Sequence, residues 1–548
     1  MGIIEITDFG FSYPGRKEKA LTEISLDVAA GTFSLLCGKI GSGKTTLLQN
    51  LKKEISPAGE KSGHICICGQ DLQDMDVRFS AKTVGFVDQN PESQIVMDSV
   101  WGELSFGLEN LEILPEEIGR RIGEIAVFFG IEHWMNHRVY ELSGGQKQLL
   151  SLAAVLAMQP EIILLDEPTA QLDPIAEKNF LQMLVRVNAE LGKTIVISTH
   201  QFDEVLPLAD KVICLDQGLL IYNGDSRGYL EKMYKDNDTL FLPASTRLAV
   251  QLSEEVRETS STEKLPRQLP MDVREGRDWL RQFATMHPLS FEKPPREERK
   301  AEVALIAKNV WFRYTAEGGF VLTGLETEIR KGEIHGFVGG NGGGKSTLLK
   351  LFSGILKPQK GKIHRTQEVR SSMLFQDARA AFFCDTLLED LMQGAKISET
   401  KGEDTQGRVL EMARRFALEK YLSNHPFDLS AGEIQKAAFA KVLLTRPDIL
   451  LLDEPVKGLD ETEKKKIGEV LWMLRDSGVG IALVTHDVEF VAHYADRCSM
   501  LFGHAIIATG EGKAFFNRNM FYTTAVSRMT RGLADGCVVE EDVHANKR

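Results

Sequence analysis

A glycine-rich loop pattern, G-x-x-x-x-G-K-[ST], occurs twice in this chain of 548 residues. The first copy reads GKIGSGKT at 38–45, and the second reads GGNGGGKS at 339–346. Glycines in such a loop let consecutive backbone N–H groups point at a polyphosphate, while the lysine reaches its β and γ oxygens and the hydroxyl ligates Mg²⁺. Each half of the chain is therefore predicted to place a strand, this loop and a helix in succession and to bind one nucleoside triphosphate.

The residues expected to surround the phosphates are those of the two loops and the first turn of each following helix. Thr45 and Ser346 are also expected to ligate Mg²⁺, because their hydroxyls occupy the last position of the pattern. The predicted nucleotide-binding residues are Gly38, Lys39, Ile40, Gly41, Ser42, Gly43, Lys44, Thr45 and Thr46 in the first half, and Gly339, Gly340, Asn341, Gly342, Gly343, Gly344, Lys345, Ser346 and Thr347 in the second.

The sequence after each loop repeats in register, which indicates a duplicated domain. Lys44 and Lys345 lie 301 residues apart, and Asp166 and Asp453 lie 287 residues apart. Short apolar runs such as FSLLCG at 33–38 alternate with helical patterns in both halves. Each half is therefore predicted to be an α/β domain with a mostly parallel sheet that helices cover on both faces.

The repeat and the local composition predict the domain boundaries. The first domain is expected at 1–244 and the second at 301–534. Proline-rich and charged residues indicate a linker over 245–300, which contains a short helix around Trp279. The last residues, 535–548, are expected to form a polar tail.

Two carboxylates end a buried strand in each half. Asp166 and Glu167 follow IILL in the first half, and Asp453 and Glu454 follow ILLL in the second. In metal-assisted phosphoryl transfer, the aspartates would hold Mg²⁺ and the glutamates would polarise the attacking water. The alternative is that each D-E-P triplet only caps a strand at a turn.

With LSGGQ at 142–146 and LSAGE at 429–433, the chain resembles the ATP-binding cassette ATPases over nearly all its length outside 245–300. The resemblance implies ATP as the nucleotide and an intramolecular dimer of two cassettes, each with a helical subdomain that carries its signature. Each ATP would lie between the phosphate loop of one cassette and the signature of the other. The signature residues implied to contact ATP are Ser143, Gly144, Gly145 and Gln146, and Ser430, Ala431, Gly432 and Glu433.

The resemblance also implies roles for four further pairs of residues. They are tyrosines that stack on adenine (Tyr13 and Tyr314), glutamines that approach Mg²⁺ and the attacking water (Gln89 and Gln376), aspartates that bridge the two sites (Asp173 and Asp460), and histidines that contact the γ-phosphate (His200 and His486). Considered alone, each tyrosine would be a strand aromatic and each histidine a surface residue at a strand end.

The two ATP sites are expected to differ. The first phosphate loop would be closed by LSAGE, in which Ala431 replaces a glycine and Glu433 replaces the glutamine. The second loop would be closed by the unmodified LSGGQ. The alternative, that LSAGE works equally well, stays open because a single methyl group at a helix start is tolerated.

Composition narrows the classes of protein to consider. A net charge of −13 argues against nucleic acid as the main partner, which would require a concentrated basic face. No apolar run approaches the ~20 residues that span a bilayer, and the N-terminus has no signal-peptide pattern. Seven cysteines without a C-x-x-C pair indicate reduced thiols in a cytoplasm.

QNPESQ at 89–94, followed by FGLEN at 106–110, resembles the energy-coupling factor ATPases, which power bacterial uptake of vitamins and metal ions. The resemblance implies a peripheral ATPase at the cytoplasmic face of a bacterial membrane. Its partners would be a transmembrane scaffold (T-type) subunit and a substrate-binding membrane subunit, which would recognise the solute. Phe106, Leu108 and Leu111 are expected either to be core or to face the scaffold.

Two other classes fit the motifs less well. Fused sugar-importer ATPases usually lose the lysine of the second phosphate loop, whereas Lys345 is intact. Soluble tandem-cassette translation factors also lack membrane segments, but a long, basic, helical linker would be expected to reach RNA. The linker at 245–300 is mixed in charge and interrupted by prolines.

Overall fold

The computed structural model describes residues 2–15, 18–259, 268–290, 302–366, 369–400, 403–520, 522–534 and 536–545. These residues divide into two compact units. Unit 1 contains the chain up to Arg247 together with Leu269–Asp272, and unit 2 contains Leu248–Gln268 and Val273–Arg548. No helix within the described ranges is both long and apolar enough to cross a membrane.

Unit 1 contains ten strands and nine α-helices among its described residues. The strands are β1 Ile4–Ser12, β2 Leu21–Val28, β3 Phe33–Gly38, β4 Glu60–Ile67, β5 Gln70–Asp71, β6 Val84–Val87, β7 Ile162–Asp166, β8 Thr194–Ser198, β9 Lys211–Asp216 and β10 Leu219–Gly224. The helices are α1 Lys44–Asn50, α2 Val77–Thr83, α3 Pro91–Gln94, α4 Val100–Asn110, α5 Pro115–Phe129, α6 Gly144–Ala157, α7 Pro174–Leu191, α8 Phe202–Val205 and α9 Ser226–Lys235.

Unit 2 repeats most of these elements and adds several of its own. The strands are β11 Leu289–Ser290, β12 Val303–Phe312, β13 Leu322–Arg330, β14 Ile334–Val338, β15 Lys360–Arg365, β16 Ser371–Leu374, β17 Ile449–Asp453, β18 Gly480–Val484, β19 Arg497–Phe502, β20 Ala505–Glu511 and β21 His544–Ala545. The remaining helices are α10 Ala244–Thr259, α11 Val273–Met286, α12 Lys345–Ser353, α13 Leu387–Lys396, α14 Thr405–Arg415, α15 Ala431–Leu444, α16 Glu461–Asp476, α17 Val488–Tyr494, α18 Gly512–Arg518 and α19 Ala525–Thr530.

The main sheet has the same strand order in both units. It runs β6-β7-β8-β3-β9-β10 in unit 1 and β16-β17-β18-β14-β19-β20 in unit 2. All neighbours are parallel except the last pair of each sheet. The central strands are buried along their whole length because helices cover both faces, as the uninterrupted apolar runs predict. The expected α/β fold is confirmed.

A smaller antiparallel sheet lies beside each main sheet. Its strand order is β2-β1-β4-β5 in unit 1 and β13-β12-β15 in unit 2. In unit 1 this sheet shares one apolar core with the helix that follows the phosphate loop, through residues such as Phe11, Leu47 and Leu48. The core of unit 2 is built in the same way, with Phe352 of α12 fully buried. Each phosphate-loop helix is thus fixed on two sides by packing.

The structure differs from the linker expected over 245–300. Residues 244–259 and 273–286 form α10 and α11, and the short helix predicted around Trp279 is confirmed. Trp279 stacks on Phe283 with ring centroids 4.9 Å apart, and both side chains are buried. The content of charged residues and prolines led to the prediction of a linker, although apolar residues recur there at helical spacing. Residues 260–267 and 291–300 of the expected linker lie outside the described residues.

The polar tail expected over 535–548 also differs from the structure where it is described. Val538 and Val543 are fully buried, and β21 pairs with β11. The carboxylate of Asp542 accepts hydrogen bonds from the N–H groups of Val538 and Val539 at 2.8 and 3.1 Å. Three valines and a cysteine (Val538, Val539, Val543 and Cys537) are buried there, although the surrounding charged residues concealed this in the sequence. Residues 535 and 546–548 lie outside the described residues.

Candidate nucleotide-binding and catalytic sites

The first phosphate loop leaves the carboxyl end of β3 and turns directly into α1. Gly38, Gly41 and Gly43 have φ values of 140°, 76° and 99°, a region that side chains rarely adopt. A Cβ at Gly38 would lie only 2.0 Å from the carbonyl oxygen of Leu215, so a side chain cannot be accommodated there. Lys44 Nζ donates to the carbonyls of Gly38 and Lys39 at 2.9 and 3.1 Å.

The second loop has the same geometry. Gly339, Gly342 and Gly344 have φ values of 145°, 76° and 92°. Lys345 Nζ donates to the carbonyls of Gly339 and Gly340, both at 2.9 Å. The lysine is therefore folded back over its own loop in both units, and its ammonium lies among the backbone groups that a phosphate would contact.

One cavity of unit 2 brings most of the residues predicted for its site together. It has a volume of about 360 Å³ and opens around the phosphate loop and the carboxyl ends of the central strands. Such crevices are where ligands bind in open parallel sheets. The predicted residues that line it are Tyr314, Asn341, Gly342, Gly343, Gly344, Lys345, Ser346, Thr347, Gln376, Asp453, Glu454 and His486.

The strand-end carboxylates of unit 2 are buried beside the loop. Burial raises the pKa of Asp453 to about 6 and the pKa of Glu454 to about 7. Ser346 Oγ donates to Asp453 Oδ1 at 3.1 Å, so a hydroxyl and a carboxylate oxygen meet where the sequence predicts a cation. These hard oxygen donors fit Mg²⁺, which is typically held by one or two carboxylates together with phosphate oxygens.

In unit 1 a serine takes part in the equivalent site. Ser198 Oγ donates to Asp166 Oδ1 at 2.7 Å and accepts from the N–H of Glu167 at 2.9 Å. Burial raises the pKa of Asp166, and hydrogen bonds from Ser198 and Thr45 partly offset this effect. The equivalent residue in unit 2 is Val484. Ser198 was not predicted as a site residue, although the sequence differs visibly at the two strand ends, with STH at 198–200 and VTH at 484–486.

Each predicted catalytic glutamate is paired with the predicted histidine of the same unit. His200 Nε2 lies 2.6 Å from Glu167 Oε1, and His486 Nε2 lies 3.2 Å from Glu454 Oε1. Both glutamates have positive φ values, 44° and 53°. A positive φ in a non-glycine residue is uncommon and costs about 1–3 kcal/mol, and it occurs here at the equivalent turn of both cassettes.

The predicted adenine-stacking tyrosines have equivalent positions. The hydroxyls of Tyr13 and Tyr314 lie 3.0 Å from the hydroxyls of Thr46 and Thr347, respectively. Tyr314 is 59% exposed and lines the cavity, so its ring is accessible to a base. The stacking role of both rings stays a prediction.

Comparison with known proteins assigns the family. Residues 21–170 and 322–457 match the sequence family described as ABC transporter. The chain belongs to the ABC transporter family of ATPases. A Bacillus cereus protein described as "Putative ABC transporter ATP-binding protein" is 39% identical over 552 residues, which cover 98% of this chain and 97% of that protein. The "Putative HMP/thiamine import ATP-binding protein YkoD" of Bacillus subtilis is 28% identical over 534 residues, covering 94% and 93%.

A solved structure shares the tandem arrangement of elements. In the complex of archaeal ribosomal stalk protein aP1 and archaeal ribosome recycling factor aABCE1, the matching chain has a TM-score of 0.58 and 21% identity. The match covers 93% of this chain and 91% of that chain. At this identity the likeness establishes the two-cassette fold.

The signature of the first cassette caps its helix. Ser143 is the N-cap of α6: its hydroxyl accepts from the N–H of Gln146, and Gln146 Oε1 accepts from the N–H of Ser143 at 2.8 Å. This reciprocal arrangement fixes the loop and leaves the helix N-terminus exposed, where anions are favoured. Gly144, Gly145 and the corresponding Gly432 lie in the first turn of their helices.

The second signature holds its extra charge within the cassette. Glu433 accepts from the N–H and hydroxyl of Ser430 at 2.8 and 2.7 Å and from the hydroxyl of Tyr421. Burial opposes ionisation of Glu433, but the hydrogen bonds from Tyr421 and Ser430 outweigh it and lower its pKa. The carboxylate is thus charged and directed at its own capping serine. The sequence did not single out Tyr421, because no motif links it to LSAGE.

The remaining predicted residues lie at element ends. Gln89 follows β6, and its carbonyl accepts from Gln171 Nε2 at 3.4 Å. Asp173 and Asp460 are the N-caps of α7 and α16. Their role between the two ATP sites stays a prediction.

The helix that follows each signature carries a glutamine at the equivalent position, and the two glutamines make different hydrogen bonds. In the first cassette, Gln148 Nε2 donates to the carbonyl of Asp88, next to Gln89, at 3.1 Å. Its equivalent in the second cassette, Gln435, donates to the carbonyls of Glu454 and Pro455, both at 3.1 Å. Each contact joins the signature helix to a segment that carries a predicted site residue.

Both cassettes expose apolar side chains at the same two positions of the helical region. Val96 and Tyr140 are 64% and 76% exposed, and their equivalents Phe383 and Phe427 are 79% and 55% exposed. In the first cassette the two segments are joined by a hydrogen bond from the N–H of Val139 to the carbonyl of Asp98, at 2.9 Å. The corresponding segments of the second cassette are joined from Leu387 to Asn424, at 3.0 Å. We call Val96, Tyr140, Phe383 and Phe427 the exposed apolar pairs.

Leu108 and Phe106, which were expected either to be core or to face a scaffold, differ in their exposure to solvent. Leu108 is fully buried, whereas Phe106 is 37% exposed, and Leu111 is half-buried. The core interpretation therefore holds for Leu108. Phe106 remains accessible to a partner.

Proposed function

We propose that this ABC ATPase is the energy-coupling subunit of a bacterial importer of the energy-coupling factor type, with vitamins or metal ions as the solute class. It would act at the cytoplasmic face of the membrane with a transmembrane scaffold subunit and a substrate-binding membrane subunit. The observation that carries the proposal is the recurrence of exposed apolar pairs at equivalent positions of both cassettes. Exposed apolar side chains at equivalent positions of both cassettes suggest that each cassette has a related docking site.

The surroundings of the exposed apolar pairs support their use in coupling. Val96 lies two residues after Gln94, whose amide donates to the carbonyl of Phe86 at 2.8 Å and whose oxygen accepts from Asp88 N–H at 2.9 Å. Movement of the segment would therefore be transmitted to the strand end that carries Gln89. The import-related name of the Bacillus subtilis relative is consistent with this direction of transport.

The chemistry proposed for each site assigns a role to the phosphate loop, the strand-end carboxylates, the histidine and the signature. Lys44 and Lys345 would hold the β and γ oxygens, while the capped signature helices would supply backbone N–H donors. Glu167 and Glu454 would orient and polarise the attacking water, each positioned by its histidine. Asp166 with Thr45, and Asp453 with Ser346, would hold Mg²⁺, which when bound would supply positive charge beside the phosphate oxygens.

The catalytic assignment is tested by replacing both glutamates. We expect Glu167→Gln combined with Glu454→Gln to keep Mg-ATP binding and to lose most steady-state turnover, because an amide cannot accept a proton as a carboxylate does. Nucleotide binding and phosphate release are measured on the same preparations. Turnover at the wild-type rate in the double variant would show that the role is assigned to the wrong residues.

The transport assignment is tested by purifying the chain with its native membrane partners. We expect a multi-span membrane protein to copurify, together with the small molecule that the complex transports. Val96→Asp with Phe383→Asp should reduce copurification, whereas Leu191→Asp, an equally apolar exposed site at the end of α7, should not. Sedimentation with ribosomes and no membrane partner would favour the translation-factor alternative instead.

A further inference from the structure

Three side chains of metal-binding type meet outside the cavity of unit 2. His493 lies on α17, while Glu540 and Glu541 lie in a single 3₁₀ turn at 540–542. His493 Nε2 is 3.5 Å from Glu540 Oε2, and His493 Nδ1 is 3.7 Å from Glu541 Oε2. One potential ligand atom from each residue lies within 4.8 Å of the other two.

These separations are close to those of ligands that share one ion. Zinc-type ions bind histidine nitrogen and carboxylate oxygen at about 2.0–2.2 Å, so two tetrahedral ligands lie roughly 3.4 Å apart. Only one nitrogen of His493 can face the ion, and Glu541 must turn toward the side of Glu540. The Glu541 side chain is 68% exposed, so this rotation has no packing to displace.

The environment of the cluster favours positive charge. Glu540 is only 7% exposed, which makes an unneutralised carboxylate costly at this position. A bound cation would place positive charge beside both carboxylates at once.

The two glutamates are held in place by the structure around them. The next residue, Asp542, accepts from the N–H groups of Val538 and Val539 and pairs with Lys513. Thr524 Oγ1 donates to the carbonyl of Val538 at 2.5 Å. The backbone segments that carry the ligands are therefore anchored, and the rearrangement that an ion requires is the rotation of the Glu541 side chain.

We propose that His493, Glu540 and Glu541 form a binding site for a divalent transition-metal ion of the Zn²⁺, Co²⁺ or Ni²⁺ class. One nitrogen with two carboxylate oxygens suits these ions, whereas Mg²⁺ and Ca²⁺ prefer oxygen alone. The ion joins the C-terminal segment 536–545 to α17. Since α17 begins two residues after His486, the site lies on the helix that directly follows the proposed catalytic histidine.

The site is tested with Co²⁺ on the full chain after chelator treatment and without nucleotide. We expect one saturable binding event with visible absorption from the bound ion. Affinity should fall at least about tenfold in His493→Ala and in Glu541→Gln, and it should not change in His364→Ala, which alters an exposed histidine on β15. Because Glu541 is exposed, its variant tests the site even if His493→Ala perturbs packing.

A second measurement reports on the segment itself. Hydrogen–deuterium exchange of 536–545 should slow when Co²⁺ is added to the wild type and should not respond in Glu541→Gln. Equal Co²⁺ affinity in the wild type and in both ligand variants would overturn the proposal, and so would the absence of saturable binding. Unchanged exchange of 536–545 at saturating Co²⁺ would equally refute the link to α17.

Discussion

Replacing Glu454 by glutamine is expected to stabilise the nucleotide-free protein while it removes turnover at the second site. The carboxyl of Glu454 is buried beside Asp453, and burial raises its pKa from an ordinary 4.5 to about 7. A raised carboxyl pKa means that the folded state favours the protonated form. The folded state therefore loses stability, relative to the unfolded chain, whenever the pH favours the ionised form.

The size of this loss follows from the two pKa values. Each pH unit between them is worth about 1.4 kcal/mol, so the full difference is about 3 kcal/mol. Below pH 4.5 both states are protonated and there is no loss. Between pH 4.5 and 7 the unfolded chain is ionised while the folded chain is not, so stability falls, and above pH 7 the loss is complete. A neutral glutamine avoids the loss at every pH.

Urea denaturation of the nucleotide-free chain at pH 5.5 and pH 8 measures the effect. The free energy of unfolding of Glu454→Gln relative to wild type should rise by about 2 kcal/mol between these pH values, because about 1.4 kcal/mol of the loss is already present at pH 5.5. Glu411→Gln, on the exposed face of α14, serves as the matched control and should show no such rise. A difference that does not depend on pH, or a less stable Glu454→Gln at pH 8, would refute the electrostatic reasoning.

Two further predictions separate packing from function and one site from the other. Leu108→Asp should lower the melting temperature without any partner, since a buried charge costs several kcal/mol, whereas Phe106→Asp should fold normally and weaken association with the membrane partner; equal melting temperatures would contradict the burial difference. Glu454→Gln should reduce steady-state ATPase activity more than Glu167→Gln, and Ser143→Arg should resemble Glu454→Gln because the LSGGQ signature is expected to close the second site. Equal losses from the two glutamate variants would mean that LSAGE is fully competent or that the sites are strictly coupled.

Much of the fold, and the clustering of the predicted site residues of unit 2, could be predicted because the motifs are tied to particular backbone shapes. The loop glycines require positive φ, and the structure has it at Gly41 and Gly342. Apolar runs that end in Asp166 and Asp453 are central parallel strands, as expected for strands covered on both faces. The cavity of unit 2 then gathers side chains that are up to 172 residues apart, from Tyr314 to His486.

What the sequence did not reveal depends on contacts without a motif. Ser198 acts through hydrogen bonds to two neighbouring groups, and the sequence shows only that a serine in one cassette replaces a valine in the other, without the contacts that it makes. Tyr421 reaches Glu433 across 12 residues from a separate turn. Helices α10 and α11 gain their stability from tertiary packing of a few apolar residues, which a composition rich in charge and proline conceals.

The glutamine behind each signature shows how far two copies of one domain have diverged. Gln148 and Gln435 have kept their identity and position, yet one is anchored beside the glutamine segment and the other at the end of the catalytic strand. An alanine scan of one cassette therefore does not describe the other, even at positions where the residues are the same. Each cassette needs its own mutational map, because equivalent positions can hold the same residue and still form different hydrogen bonds.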